Sequence, residues 1–296
     1  LSSKRNEAFA SFRGQRVYGR PDDLGKALER LAAGRPAVVA GGTDFYPARV
    51  GRALEPDVLD LSRIAALRGI EAAPDHWRIG ALTTWTDLVR APLPPALAAL
   101  AQAAIEVGGP QVQNRGTLGG NLCNASPAAD GVPALLALDA RVELASLRGT
   151  RTLALADFVL GARRTALAPD ELLVAVRLQR GTPAARSRFL KLGHRRYLVI
   201  SIAMVAVSLD VDAAGRAVRV GAAVGSCSAA ARRLPALEAA LEGTPREAIA
   251  ETVARALRDP AVLAPLAPID DVRGTAAYRL DAVATLLRRA FGDLAA

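Results

Sequence analysis

The chain has 296 residues, 51% of them hydrophobic, 23% charged and only 4% aromatic, with a formal net charge of +9. That length suits two or three domains, and so apolar a composition excludes wholesale disorder and gives a core of Ala, Leu and Val. A basic balance points to nucleic acid, an acidic membrane surface, an anionic cofactor or an acidic protein partner. The arginines are spread as pairs such as Arg163-Arg164, Arg195-Arg196 and Arg232-Arg233 with no long block of like charge, which argues against nucleic acid.

Two cysteines, Cys123 and Cys227, and two histidines, His76 and His194, are too few and too scattered for a zinc site or an iron–sulfur cluster bound within this chain. The low cysteine count fits a reducing compartment. No apolar run reaches the ~20 residues that span a bilayer. The stretch Leu1-Ser2-Ser3-Lys4-Arg5 lacks the apolar centre of a signal peptide. The expected location is the cytoplasm.

In chain order, Pro21 to Ala33 is the first predicted helix, with Leu24, Ala27, Leu28 and Leu31 on one face, Pro21 in its first turn and Gly34 as its stop. Short strands follow at 37–40, 58–61 and 77–82. Thr84 caps a short helix with Asp87 three residues on, and 95–107 is a longer alanine-rich helix. The stretch 108–121 suits no regular element. A helix is expected at 131–138 and strands at 141–145, 172–178 and 189–192. Residues 199–211 form a long β-rich run, Asp212 to Gly215 a hairpin turn and 216–224 the return strand. Helices at 234–241, 245–258 and 277–291 complete a tail that reads as a separate α+β domain.

Chemistry concentrates in two glycine-rich segments. In Val38-Val39-Ala40-Gly41-Gly42-Thr43-Asp44-Phe45 an apolar strand runs into two glycines, a hydroxyl and an acid. Successive glycines can aim their backbone N–H groups at one point and form an anion-binding nest, with no side chain in the way; an ordinary tight turn after a strand is the alternative. The segment lacks the G-x-G-x-x-G of a Rossmann turn and the Gly-Lys-Ser/Thr of a phosphate-binding P-loop. The second segment, Arg115-Gly116-Thr117-Leu118-Gly119-Gly120-Asn121-Leu122, again offers hydroxyl, glycines and amide, and two nests suit a ligand with two phosphates. Beyond it Asp130 is either the cap of the helix that starts near Gly131 or a carboxylate that binds sugar hydroxyls.

Ala-Gly-Gly-Thr-Asp at 40–44, Thr-Leu-Gly-Gly-Asn at 117–121 and Ala-Ser-Pro-Ala-Ala-Asp at 125–130 together resemble the FAD-binding medium subunits of the molybdenum hydroxylases, the xanthine dehydrogenase and carbon monoxide dehydrogenase family. The resemblance covers almost the whole chain. It implies an α+β protein: a two-part FAD-binding region of the vanillyl-alcohol-oxidase (PCMH) type over 1–182, with subdomains of about 1–66 and 67–182, and a smaller α+β C-terminal domain over 183–296. It also implies one non-covalent FAD held by Val38, Val39, Ala40, Gly41, Gly42, Thr43, Asp44 and Phe45 around the pyrophosphate, and by Thr117, Gly119, Gly120 and Asn121 at phosphate and flavin. Val107 falls near the cofactor, Asp130 on the family's FAD-binding acid, Leu173 beside the isoalloxazine, and Lys191 on a lysine close to the flavin. There a cation beside the N1–C2=O edge stabilises the anionic reduced ring. Without the resemblance, Leu173 reads as a core strand residue and Lys191 as a solvated lysine on an edge strand.

The family pattern further implies a heterotrimer, itself able to dimerise, with a large subunit that carries the molybdopterin cofactor and a small subunit with 2Fe–2S clusters. Electrons reach the FAD from those clusters and leave to a nicotinamide, a quinone, oxygen or another carrier. The run Gly193 to Ile200 departs from the family's small and acidic residues at this point, and an inserted four-cysteine loop found in some members is absent. Cys123 is either a small packing residue or a redox-active thiol. The rival functions are a self-contained flavoenzyme of the same fold, which needs its own proton donor, and a binding module without redox chemistry.

Overall fold

The computed structural model describes residues 17–51 and 57–296; the stretch Leu1–Arg5 lies outside them. Strands β1 (Tyr18–Gly19), β2 (Ala37–Val39) and β3 (Val58–Asp60) form a parallel sheet in the order β1-β3-β2. The helix Leu24–Gly34 crosses from β1 to β2 and buries Ala27, Leu28 and Leu31. It begins later than the sequence suggests because Asp23 is its cap, its carboxylate accepting the N–H of Lys26; Pro21 stays in the preceding extended segment. It also ends differently: Gly34 is still helical, and Arg35 takes the left-handed position at φ 49°.

A second sheet is antiparallel, in the order β4-β5-β10-β6-β7, built from β4 (Ile70–Ala72), β5 (His76–Gly80), β6 (Arg141–Ser146), β7 (Gly149–Ala154) and β10 (Leu172–Gln179). The small pair β8 (Val159–Gly161) and β9 (Arg164–Thr165) sits apart from it. Between β5 and β6 the chain makes the helices Trp85–Arg90, Ala98–Glu106, Leu118–Asn124 and Gly131–Ala137. The expected Thr84 cap is present as a capping box, with Thr84 and Asp87 each bonding the other's backbone N–H. Strand β10 is central and nearly continuously apolar, as a strand covered on both faces must be.

The third sheet, β11 (Arg186–Leu192), β12 (Ala203–Val211), β13 (Ala217–Gly225) and β14 (Arg232–Arg233), is antiparallel in sequential order. Successive side chains of β12 point to opposite faces. Met204 and Ala206 join an apolar core with Leu100, Leu122 and Leu135, whereas Val205, Val207 and Leu209 join a second core with Leu237, Val253 and Phe291. The sheet is therefore sandwiched. The helices Ala98–Glu106 and Gly131–Ala137 lie on one face, and Pro235–Leu241, Ile249–Ala256 and Ala276–Ala295 on the other. Gly221 lets the second of these helices approach, since a Cβ there would strike the carbonyl of Ala137. Residues 199–202 precede the strand, because the chain from Gly193 onward loops outward with Leu198 at φ 52°. The expected helix 245–258 is a 3-10 turn, Arg246–Ala248, followed by Ile249–Ala256.

Candidate cofactor-binding site

A cavity of about 630 Å³ opens where β2 ends, bounded by the turn that follows β2, by the helix Leu118–Asn124 and by β10. Ligands gather in the crevice outside the carboxyl ends of parallel strands, where the turns that follow can present free backbone N–H groups. Among the described residues, the N–H groups of Gly41 to Phe45 donate to no other group of the chain. Gly42 holds φ 74°, and a Cβ there would come within 2.6 Å of the Tyr46 ring. A Cβ on Gly41 would strike the carbonyl of Arg115, so the two glycine segments pack backbone against backbone.

The second segment differs from the open nest that its composition suggests. It is the start of the helix Leu118–Asn124, capped by the Thr117 hydroxyl, which accepts the N–H of Gly120 at 3.0 Å. Gly119 donates to the carbonyl of Ala81 at 2.8 Å, Leu118 to Thr83 at 2.9 Å and Gly116 to Val112 at 2.6 Å. These amides are committed to the fold. The glycines serve close approach instead, a Cβ on Gly119 meeting Ala81 at 2.7 Å. What the segment offers a ligand is the Thr117 hydroxyl proton and the side chain of Asn121. Asn121 Oδ1 is buried without a hydrogen-bond partner, a costly state for an amide oxygen unless a ligand donates to it.

Of the residues expected at the cofactor, Val38 through Phe45, Val107, Thr117, Gly119, Gly120, Asn121 and Leu173 all line this one cavity, whereas Asp130 and Lys191 do not. Lys191 Nζ instead meets Asp130 Oδ2 at 3.0 Å, the two side chains being 6% and 10% exposed. It also donates to the carbonyl of Glu106 at 3.2 Å, and the Ser201 hydroxyl donates to Asp130 Oδ1 at 2.9 Å. The solvated reading of Lys191 is thus corrected: its ammonium is buried in a pair with the Asp130 carboxylate. Asp130 occupies the cap position of Gly131–Ala137 but makes no capping bond with its side chain. Burial pushes its carboxyl up, against the opposing pull of Lys191 and Ser201.

Sequence reasoning missed Arg49, Leu82, Trp85, Asn124 and Arg163 in the lining, and left Cys123 between two readings. Trp85 follows a cap, where a buried aromatic is ordinary core, and Arg163 arrives from the β8–β9 turn, remote in sequence. Cys123 is exposed only in the sense that it faces the cavity. Desolvation by the surrounding protein pushes its pKa up to about 12, which favours the neutral thiol at physiological pH. His76, tied to Asp75 and Arg177, and His194 lie outside the lining. No helix among the described residues is long and apolar enough to cross a membrane.

A flavin dinucleotide fits these residues on three observations: the free amides at 41–45, the orphaned Asn121 oxygen, and apolar walls from Leu82, Trp85, Leu172 and Leu173. Comparison with known proteins agrees. Residues 10–179 match the family described as the FAD binding domain in molybdopterin dehydrogenase, and residues 188–294 the CO dehydrogenase flavoprotein C-terminal domain. The nicotinate dehydrogenase FAD-subunit of Eubacterium barkeri is 41% identical over 61% of this chain and 62% of its own length. The nicotine 6-hydroxylase medium subunit of Paenarthrobacter nicotinovorans is 31% identical over 92% of this chain and 94% of its own. Among solved structures, reconstituted CO dehydrogenase from Oligotropha carboxidovorans superposes with a TM-score of 0.86 at 28% identity, covering 95% of this chain and 98% of that one.

Proposed function

The chain belongs to the FAD-binding medium subunits of the molybdenum hydroxylase family, and from that premise we propose that it holds one FAD without covalent attachment and relays electrons from a partner's 2Fe–2S clusters to an external acceptor. The observation that carries the reading is the row of unpaired amides from Gly41 to Phe45 at the mouth of an apolar cavity. Bound flavin accepts electrons singly or in pairs, which lets it join one-electron donors to a two-electron acceptor. The residues of this chain bind and orient it. Val38 to Phe45 wrap the pyrophosphate with backbone, and Thr117 donates its hydroxyl. Gly119 and Gly120 keep the wall bare, Asn121 accepts from the cofactor, and Val107 and Leu173 exclude water from the ring. Asp130 and Lys191 brace the wall from behind: Lys191 holds the carbonyl of Glu106, next to Val107.

The chain divides in this reading into an FAD-binding region, 1–182, itself split near 66, and a C-terminal domain, 183–296. Its partners are a large molybdenum-cofactor subunit and a small 2Fe–2S subunit in a cytoplasmic heterotrimer. A self-contained flavoenzyme is not favoured, because relatives matched over nine-tenths of their length are subunits of hydroxylase and dehydrogenase complexes. Expression with its genomic neighbours and isolation through a tag on this chain tests the proposal. The expected product is a three-component complex with molybdenum, iron and extractable FAD. Recovery of FMN, of no flavin, or of a lone flavoprotein that oxidises an organic substrate would overturn it.

A further inference from the structure

Arg279 stands in the first turn of the helix Ala276–Ala295 and is only 3% exposed. Its Nη1 donates to the carbonyl of Ile202 and, at 3.1 Å, to that of Ser226, and its Nη2 donates to Asp271 Oδ1 at 2.6 Å. Nε is buried without a partner. Taking a guanidinium out of water is costly, and the one carboxylate that offsets it here is shared with Arg273. Anchoring the segment 271–275 to its helix accounts for the bond to Asp271. The two carbonyls on Nη1 belong to other parts of the chain.

Both carbonyls sit beside contacts with the segment 127–130. Ser226 donates its N–H to the carbonyl of Pro127 at 3.0 Å. It does so at φ 62°, a left-handed conformation that a non-glycine residue keeps only when its surroundings hold it there. Next to Ile202, the Ser201 hydroxyl donates to Asp130 Oδ1 at 2.9 Å. The N–H of Ile202 donates to the carbonyl of Leu192 at 2.8 Å, which ties it to the strand that carries Lys191. Lys191 in turn bonds Asp130 Oδ2 and the carbonyl of Glu106, beside Val107 in the cavity lining. One buried guanidinium thus clamps the peptides from which Ser226 and Ser201 reach Pro127 and Asp130.

We propose that Arg279 is a positioning residue for the cofactor cavity: it fixes the peptides of Ile202 and Ser226, aims the Ser201 hydroxyl at Asp130, and so keeps the Asp130–Lys191 pair against the wall at Glu106. This rests on the FAD reading and extends it to a side chain of the last helix, outside the cavity lining. A hydrogen bond weakens steeply when its donor turns away, whereas the charge of Arg279 acts on Asp130 whatever the aim of Ser201. Arg279→Lys separates the two effects. It keeps the charge and loses the planar fork that serves two carbonyls and a carboxylate at once.

The test takes two readouts on the full chain stripped of flavin. The first is the pH at which Asp130 titrates, followed by carboxyl carbon NMR and assigned with Asp130→Asn. Burial and the Glu106 carboxylate push that carboxyl up, while Lys191 and Ser201 pull it down. Ser201→Ala, Arg279→Lys and Asp271→Asn, which loosens the guanidinium from its more exposed side, should each raise it, and Arg279→Lys should add nothing to Ser201→Ala. The second is titration with FAD, which Arg279→Lys should bind about fivefold more weakly. An unmoved Asp130 titration in Arg279→Lys or, should that variant not fold, in Asp271→Asn would overturn the proposal. So would full additivity with Ser201→Ala, or unaltered FAD affinity. A wild-type chain that binds no FAD would remove the FAD reading instead, and the Asp130 titration would still decide whether Arg279 aims Ser201.

Discussion

Replacing Lys191 by Met keeps the length of the side chain and deletes its charge, which isolates the electrostatic part of the buried pair with Asp130. In the folded chain Lys191 lies 3.0 Å from a carboxylate that is nearly as buried as itself, and only the Ser201 hydroxyl remains on that acid when the cation is gone. Breaking such a pair from one side costs about 3 kcal/mol, because the surviving charge is left without compensation. Burial already raises the Asp130 pKa against the pull of Lys191, so the substitution raises it further, while the unfolded chain titrates near the ordinary value of about 4. The folded variant then holds the proton more tightly than the unfolded one. Its stability falls as pH rises from the unfolded toward the folded pKa, and is greatest below both, where Asp130 is neutral in either state. The penalty relative to wild type should be full at neutral pH and shrink as pH falls toward about 4. Urea unfolding of the flavin-free chain across this range measures it, and adding Asp130→Asn to Lys191→Met should recover most of the loss. Equal midpoints at neutral pH, or a gap that widens in acid, would refute the reasoning.

Gly42→Val and Gly120→Val should each abolish FAD retention, the first by a left-handed backbone angle and the Tyr46 ring, the second by crowding Thr117 Oγ1 at 2.9 Å; normal flavin stoichiometry in both, read by absorbance, would contradict this. Asn121→Ala should stabilise the flavin-free chain by roughly 1 kcal/mol, since it removes a buried oxygen without a partner, and weaken FAD binding. Opposite signs in thermal melts and flavin titrations are the signature, and a variant that loses stability would count against it. At pH 8 the thiol of Cys123, with its pKa near 12, should alkylate roughly fiftyfold more slowly than free cysteine, its far smaller thiolate fraction being partly offset by the greater nucleophilicity of a more basic thiolate, as mass spectrometry of the labelled protein can follow; rapid labelling would show that the thiol is not desolvated.

What the sequence makes legible here is local. A strand that runs into Gly41-Gly42 can be recognised from a handful of adjacent residues, and among the described residues the amides of that segment have no partner. The glycines of 116–120 mislead, because low helix propensity argues for a loop. A Thr117 cap and the close approach to Ala81 outweigh it, and tertiary contacts commonly override propensity in this way. Strand β7, Gly149–Ala154, faces solvent along most of its length and carries no alternating apolar pattern, so nothing marked it. The pairing of Lys191 with Asp130 spans 61 positions and joins β11 to the start of the helix Gly131–Ala137. A lysine on an edge strand has no signal in its neighbours that a carboxylate waits for it.

The interior that β12 shares with the helices of the first half has a practical consequence for dissection. Met204, Ala206 and Ala223 belong to the same apolar core as Leu100, Leu122 and Leu135, and Ser187 and Phe189 of β11 are bonded to Ala99 and Gln102. A fragment cut after residue 182 would leave the outer face of the helix Ala98–Glu106 bare and uncover the carbonyl that Lys191 holds. The halves match separate sequence families yet share one apolar core. Recombination between relatives at that junction should therefore yield aggregates unless both sides of the shared core come from one parent.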